Sequence, residues 1–330
     1  MRFAVLGAGG WGTAFARLLA ISGHETVLWA RDARQVESIV AARQNTKYLP
    51  GVELPLAHLR VTADLSEAIT EDVLVFAVPS FGVAKLVERI SPLVGTAPAI
   101  VNLAKGIDRD TQQTMSEVIR DVLPKAKVFT LSGPSHAEEV GKDIPTAVVL
   151  AGPDLVLGQQ LQHEIATHRF RVYLSEDIRG VELCATIKNI IALATGISDG
   201  LGYGDNSRGA LITRGLAEMV RFGRTFDVRD ETFFGLSGLG DLVATCTSQH
   251  SRNRYVGWRL GRGECLETIL SEMAMVAEGV HATTIVHEMA LQRHVEMPIT
   301  EAVYRLLQGK ASPLSLVEAI MTRAPKREGI

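Results

Sequence analysis

Residues 2–22 read RFAVLGAGGWGTAFARLLAIS, and the order of residue types in this stretch decides the fold. Arg2 to Leu6 has the length of a short strand and is apolar from Phe3 onward, with no alternate polar position to face water, as expected of a strand covered on both sides. It runs directly into Gly7-Ala8-Gly9-Gly10-Trp11-Gly12 and from there into a helical run, Thr13 to Ser22. The glycines make a GxGxxG between a strand and a helix. Gly7 permits a tight turn, Gly9 lets the backbone approach a pyrophosphate, and Gly12 lets helix and strand pack closely. The helix N-terminus adds N–H groups with no partner in the helix itself. A second apolar strand, Glu25 to Trp29, begins after Gly23 and completes the strand-turn-helix-strand unit of a dinucleotide site. The segment that leaves it, Leu28-Trp29-Ala30-Arg31-Asp32, bears on which dinucleotide. An acid at the strand's end suits a ribose 2'-hydroxyl and an arginine suits a 2'-phosphate, so Arg31 favours NADP, with NAD possible because Asp32 lies beside it. The alternative for Arg31 is an exposed turn charge.

Outward from this unit, the first half of the chain alternates strands with helices. A helix is expected near Arg34 to Arg43, followed by an irregular segment rich in Pro and Leu. Strands are expected at Asp72 to Val78, Pro98 to Leu103 and Lys127 to Leu131, ending in Pro79-Ser80, Ala104-Lys105-Gly106 and Ser132-Gly133-Pro134-Ser135-His136. Small or polar residues at the carboxyl ends of parallel strands are what a ligand crevice needs. Lys105 there either meets a phosphate or is a solvated loop lysine. Thr146 to Leu150 and Phe170 to Leu174 add two strands antiparallel to the rest. Beyond Glu176 the periodicity is helical only, at Asp177–Ser198, Ser207–Phe222, Thr232–Leu236, Arg252–Gly261, Cys265–Met273, Ala282–Gln292 and Thr300–Gln308. The expected fold class is α/β: an N-terminal Rossmann-like, mostly parallel sheet in residues 1–178 and an all-α domain in residues 179–330. The polar tail, residues 323–330, is expected to fray.

One helical stretch stands apart. Residues 184–204, CATIKNIIALATGISDGLGYG, are apolar or small for a dozen positions yet carry Lys188 in their midst. On a 3.6-residue period its face is shared with Val181, Cys184, Ile191, Ala192 and Thr195, so the ammonium is surrounded by protein; the alternative is a buried stem whose head snorkels to the surface or pairs with a carboxylate in a structural ion pair. Desolvation can bring a lysine's proton within reach of neutral pH, as a proton-transfer group requires. Two glycine-rich segments follow, 200–206 and 235–241, and the second delivers Asp241 into small, apolar surroundings. Ser251-Arg252-Asn253 then opens a helix with a capping hydroxyl and a forked cation. This is either a phosphate seat or an ordinary capped surface helix.

Composition excludes several classes. Over 330 residues the net charge is −3, with 46% hydrophobic and 22% charged residues, which gives no reason to expect nucleic acid or an anionic membrane as partner. Cys184, Cys246 and Cys265 are too few and too far apart for a disulfide framework or a CxxC metal site, and the nine histidines form no HExxH, so no metal is expected. No uninterrupted apolar run approaches the ~18 residues of a membrane span. The start, MRFAVLGAGG, enters a strand at once with no signal-peptide pattern, and a cytoplasmic protein is expected.

As a set, GAGGWGTA at 7–14, NLAKGI at 102–107, SGPS at 132–135, IKNIIALATGISDGLGYGDNSRGALITRG at 187–215, GLGDLVATCTS at 238–248 and SRNR at 251–254 resemble bacterial-type NAD(P)-dependent sn-glycerol-3-phosphate dehydrogenases, over all but the tail. The resemblance implies interconversion of dihydroxyacetone phosphate and glycerol 3-phosphate, in support of phospholipid synthesis. It places the proton acceptor on Lys188, with Asp241 and Lys105 positioning it. Substrate contacts would fall on Lys105, Gly133, Ser135, Lys188, Asp241, Ser251, Arg252 and Asn253. Cofactor contacts would fall on Gly7, Gly9, Gly10, Trp11, Gly12, Arg31, Lys105, Ala137, Arg252, Val276 and Glu278. Gly10 stands where the family often has serine, and His136 where it often has phenylalanine. The partner implied is a small phosphorylated three-carbon substrate, and a homodimer is compatible. A reductase of another small hydroxy acid, or a non-catalytic NADP sensor, are the alternative readings; the first has no use for the Ser-Arg-Asn seat and the second none for Lys188.

Overall fold

A computed structural model of the chain describes residues 1–69, 71–95, 99–322, 324 and 327. The tail expected to fray, and Pro98 at the head of an expected strand, lie outside the described residues apart from positions 324 and 327. The chain divides into two compact units, Met1–Ile178 and Arg179–Ile330.

The first unit contains the strands β1 (Phe3–Leu6), β2 (Thr26–Trp29), β3 (Leu59–Thr62), β4 (Val73–Phe76), β5 (Ala99–Asn102), β6 (Lys127–Ser132), β7 (Thr146–Ala151) and β8 (Phe170–Ser175). Its helices are α1 (Gly10–Ile21), α2 (Ala33–Ala42), α3 (Leu65–Ala68), α4 (Val83–Ile90), α5 (Met115–Val122), α6 (Ala137–Val140) and α7 (Leu155–Ile165). Among the described residues the strands form one sheet in the order β3-β2-β1-β4-β5-β6-β7-β8. The first six pair in parallel, β7 runs antiparallel to β6, and β8 is parallel to β7. Strand order therefore reverses between β1 and β4, which makes their carboxyl ends the switch point where an open sheet accepts a ligand. The alternation of β1 explains its apolar run: Phe3 and Val5 enter one core cluster, Ala4 and Leu6 the other. β3 was not expected. Its four residues, LRVT, bury only Leu59, because an edge strand lacks the continuous apolar run that marks a central one. Helix α1 begins at Gly10, three residues earlier than the apolar pattern suggests, so Gly10, Trp11 and Gly12 form its first turn.

The second unit is helical: α8 (Ile178–Gly200), α9 (Asp205–Gly223), α10 (Asp230–Phe234), a π-helical turn (Leu236–Gly240), α11 (Asp241–Thr247), α12 (Arg252–Gly261), α13 (Leu266–Ser271), α14 (Glu278–Gln292), α15 (Pro298–Leu307) and α16 (Pro313–Met321). Several expectations shift here: α14 starts at Glu278, four residues before the expected Ala282, and α16 has no counterpart among the expected helices. The helix expected at Thr232–Leu236 starts at Asp230, with two acids in its first turn, and stops where Gly235 is extended. Helix α11 was missed because it begins inside a glycine-rich segment. The mean hydropathy and length of α8 would suit a membrane span, although Glu182 and Lys188 break its apolar runs; it is buried within the fold. It is buried on all sides from Gly180 to Ser198.

The contact between α8 and α12 is made by glycines at four-residue spacing on both helices, Gly196 and Gly200 against Gly257 and Gly261. A Cβ on Gly196 would lie 2.1 Å from the Arg254 carbonyl oxygen, and one on Gly257 would lie 2.1 Å from that of Leu193. The two backbones touch. No side chain separates them, the close approach that small residues four apart permit. Elsewhere in this unit, Glu218 of α9 is buried and accepts hydrogen bonds from the backbone N–H of Ile299 at 2.5 Å and of Thr300 at 3.1 Å, capping α15. Burial pushes its carboxyl up to about 7, against the pull of those donors.

Candidate active site

At the switch point of the first unit, Gly7 has φ +127°, and a Cβ there would meet the Ala77 carbonyl oxygen at 2.6 Å. Gly12 is equally constrained, since its Cβ would fall 1.9 Å from the Gly7 carbonyl oxygen. Gly9 differs: a Cβ would meet nothing within 4 Å, and as N-cap of α1 it offers no side-chain cap to the first N–H groups. The helix end is thus open to an outside acceptor, which fits a pyrophosphate. The Trp11 indole N–H, beside it, is buried with no hydrogen-bond partner among the described residues. At the end of β2, Asp32 is spent as the N-cap of α2, accepting from the Arg34 N–H at 2.9 Å, while Arg31 is exposed. The acid that stood against an NADP reading therefore has a structural task.

Further along the same unit, Lys105 donates to the Gly133 carbonyl at 3.3 Å, and the Ser135 hydroxyl donates to the same oxygen at 2.9 Å. Gly133, with φ +148°, has no room for a side chain, because a Cβ would lie 2.9 Å from the Cα of Val148. One carbonyl thus gathers three residues singled out from the sequence. Ala137 follows as the first residue of α6, after His136 as N-cap.

In the second unit Lys188 is 4% exposed, which excludes the snorkelling alternative. Its Nζ donates to Asp241 Oδ1 and to Thr245 Oγ1, each at 2.6 Å. Asp241 is the first residue of α11, placed there by the π-helical turn, in which Gly238 is packed so closely that a Cβ would lie 2.1 Å from the Phe233 carbonyl oxygen. Thr245 in turn donates to the Asp241 carbonyl at 2.6 Å, as a threonine one helical turn on can do. The ammonium has exchanged water for a carboxylate and a hydroxyl. Removing one member of such a pair costs about 3–5 kcal/mol, because the other is left buried and uncompensated. Cys246, on the same helix, is buried, and burial pushes its thiol up to about 12, away from the thiolate form.

A second network joins three helices beside the lysine. Asn253 of α12 donates to Asn189 Oδ1 at 2.9 Å and accepts from the Gly279 N–H of α14 at 2.9 Å. Ser251 caps α12 by accepting from the Arg254 N–H at 3.2 Å. Arg254 and Arg208 share Asp199, at 2.7 and 2.8 Å, so neither adds an uncompensated charge. Arg252 is exposed and donates to the Val276 carbonyl at 2.9 Å, two residues before Glu278 opens α14. Thr245 and Asn189 escaped the sequence reading. The four-residue spacing from Asp241 would have exposed Thr245 had α11 been recognised; Asn189 carried no signal beyond being next to Lys188.

Comparison with known proteins follows this division. Residues 2–157 match the family model described as NAD-dependent glycerol-3-phosphate dehydrogenase N-terminus, and residues 177–318 match that of its C-terminus. The chain is 47% identical to a glycerol-3-phosphate dehydrogenase [NAD(P)+] of Chlorobium limicola, covering 99% of both chains. It is 46% identical to one from a Thermoanaerobacter species, again over 99% of both. A crystal structure of glycerol-3-phosphate dehydrogenase from Coxiella burnetii superimposes with a TM-score of 0.94 at 39% identity, covering 98% of this chain and 99% of that one.

Proposed function

The chain belongs to the NAD-dependent glycerol-3-phosphate dehydrogenase family, and from that premise we propose how its side chains serve the reaction. It is an oxidoreductase that interconverts dihydroxyacetone phosphate and sn-glycerol 3-phosphate with NAD(P)H. The nicotinamide, when bound, supplies the hydride that reduces the carbonyl carbon, and takes it back in the reverse direction. The oxygen then needs a proton, and Lys188 is the group that gives it as an ammonium, becoming a neutral amine until solvent restores the proton. In oxidation the neutral amine accepts the hydroxyl proton. The observation that carries this reading is the 2.6 Å contact of Lys188 with Asp241 inside an apolar helix. Asp241 and Thr245 hold the amine in one place and favour its charged form.

Ser251, Arg252 and Asn253 are the proposed phosphate seat, a capped helix start with one exposed guanidinium. Lys105, Gly133 and Ser135 are proposed as further substrate contacts. Gly7, Gly9, Gly10, Trp11, Gly12, Arg31, Lys105, Ala137, Arg252, Val276 and Glu278 are proposed for the cofactor. Supply of glycerol 3-phosphate for phospholipids, a cytoplasmic location and a homodimeric assembly complete the proposal.

The decisive test separates charge from proton transfer. Lys188→Ala should lower kcat by two to three orders of magnitude, with the dissociation constant for NADPH close to wild type. Lys188→Arg keeps the charge but cannot release a proton near neutral pH, so it should recover little. A fully active Lys188→Arg enzyme would leave the lysine an electrostatic role only.

A further inference from the structure

The Ala8 carbonyl, on the outer side of the glycine turn, accepts two side-chain hydrogen bonds, from Gln35 Nε2 at 2.7 Å and from Asn45 Nδ2 at 3.0 Å. Asn45 is 1% exposed, and its second Nδ2 hydrogen goes to Thr13 Oγ1 at 2.8 Å. Its Oδ1 accepts from the Tyr48 N–H at 3.3 Å, which settles the orientation of the amide, since the Ala8 oxygen can only accept. The residue stands in a segment without regular structure that is nonetheless tied down. Gln44 bridges to Glu53, the Leu54 N–H donates to the Arg43 carbonyl at 2.9 Å, and Leu49, Val52 and Leu54 are buried in the core. Arg17 fastens it again, its Nε donating to the Glu53 carbonyl at 3.1 Å and its two terminal nitrogens holding Asp143.

The turn needs such a fastener. In a trans peptide the carbonyl and the next N–H point in opposite directions, so the direction of the Ala8 C=O also sets that of the Gly9 N–H. The Ala8–Gly9 peptide turns about ψ of Ala8 and φ of Gly9, and the glycine makes its half of that rotation cheap. We propose that Asn45, assisted by Gln35, is a positioning residue for the dinucleotide: by holding the Ala8 carbonyl outward it keeps the Gly9 N–H aimed at the pyrophosphate. The inference rests on the reading that this turn binds the cofactor.

The test measures NADPH dissociation constants by quenching of tryptophan fluorescence, together with steady-state kinetics and melting temperatures. Asn45→Ala should weaken NADPH binding about tenfold, and Gln35→Ala about threefold, as loss of one to two hydrogen bonds implies. Asn45→Asp, similar in shape but unable to donate, should be at least as weak as Asn45→Ala. In all three, kcat at saturating NADPH and the KM for dihydroxyacetone phosphate should stay within about twofold of wild type. A lowered melting temperature with an unchanged NADPH dissociation constant would overturn the proposal and make Asn45 structural only. Should Asn45→Ala fail to fold, the half-buried Gln35→Ala decides by the same readout: weakening supports the proposal, no change overturns it. Failure of the wild-type chain to bind NADPH would instead overturn the cofactor reading, and the inference with it.

Discussion

The glycine turn of the first unit and the lysine site of the second solve the same problem, the placing of polar groups, by opposite means. The turn uses backbone N–H groups within one run of six residues, 7–12, shaped by glycines and left open at the helix end. The lysine site uses an ion pair whose members lie 53 residues apart, with a hydroxyl 57 residues from the lysine, all sealed in the core. The difference is one of cost. Backbone groups at a helix end carry only partial charge and remain available to water, whereas each buried ion has to be matched by a partner. A region of the first kind tolerates salt and pH; one of the second kind is sensitive to both the partner and the proton.

That contrast can be put under strain at three places, taken from the largest expected effect to the smallest. If the helical unit bears the cost of buried charge, its stability should fall as Glu218 ionises. The group titrates near 7 in the fold and near 4.5 when unfolded, so the unfolded chain loses this proton first. Stability from this group is highest below about pH 4.5 and declines through about pH 7, by about 3 kcal/mol in all. Comparing urea unfolding of wild type and Glu218→Gln across pH 4.5 to 8 should show the decline in wild type and a flatter curve in the variant. Parallel curves would mean that the N–H donors of α15 hold the carboxylate as firmly as water does.

Next in size is the loss of the phosphate seat. Arg252→Ala should lower kcat/KM for dihydroxyacetone phosphate by roughly 10- to 100-fold, as expected for one charge-assisted contact. Unphosphorylated dihydroxyacetone should be almost indifferent to the change. Equal losses for both would move Arg252 from the phosphate to the cofactor or the fold. The smallest effect belongs to the open turn. Arg31→Ala should reduce the preference for NADPH over NADH by about tenfold or less, because an exposed guanidinium acts through a screened contact. An unchanged ratio of kcat/KM for the two cofactors would remove Arg31 from the 2'-phosphate.

How far the sequence could be read follows from the same contrast. The turn was legible, apart from the three residues by which α1 starts early, because strand, glycines and helix are contiguous. Lys188 was legible as an anomaly, a strong base in an apolar run. Its carboxylate was legible as an acid among small residues, suited to orienting another group; that this group is Lys188 came with the family resemblance. Thr245 and the Asn189–Asn253–Gly279 chain were not legible, because they depend on α11 and on the crossing of three helices. Asn45 was hidden for another reason: the segment that holds it has no period, so nothing in the pattern shows that Leu49, Val52 and Leu54 are core residues. The edge strand β3 was lost because one-sided burial leaves too few apolar residues to detect.

The glycine crossing of α8 and α12 has a consequence for how the enzyme can change over time. Most helix pairs can be adjusted in small steps, by adding or removing a methyl group at the contact. Here Gly196, Gly200, Gly257 and Gly261 leave no methyl to remove and no room to add one. The spacing between the helix that bears Lys188 and the helix capped by Ser251 is therefore closed to gradual drift. New substrate lengths would have to be reached through the loops and side chains around this joint, with the joint itself inherited unaltered.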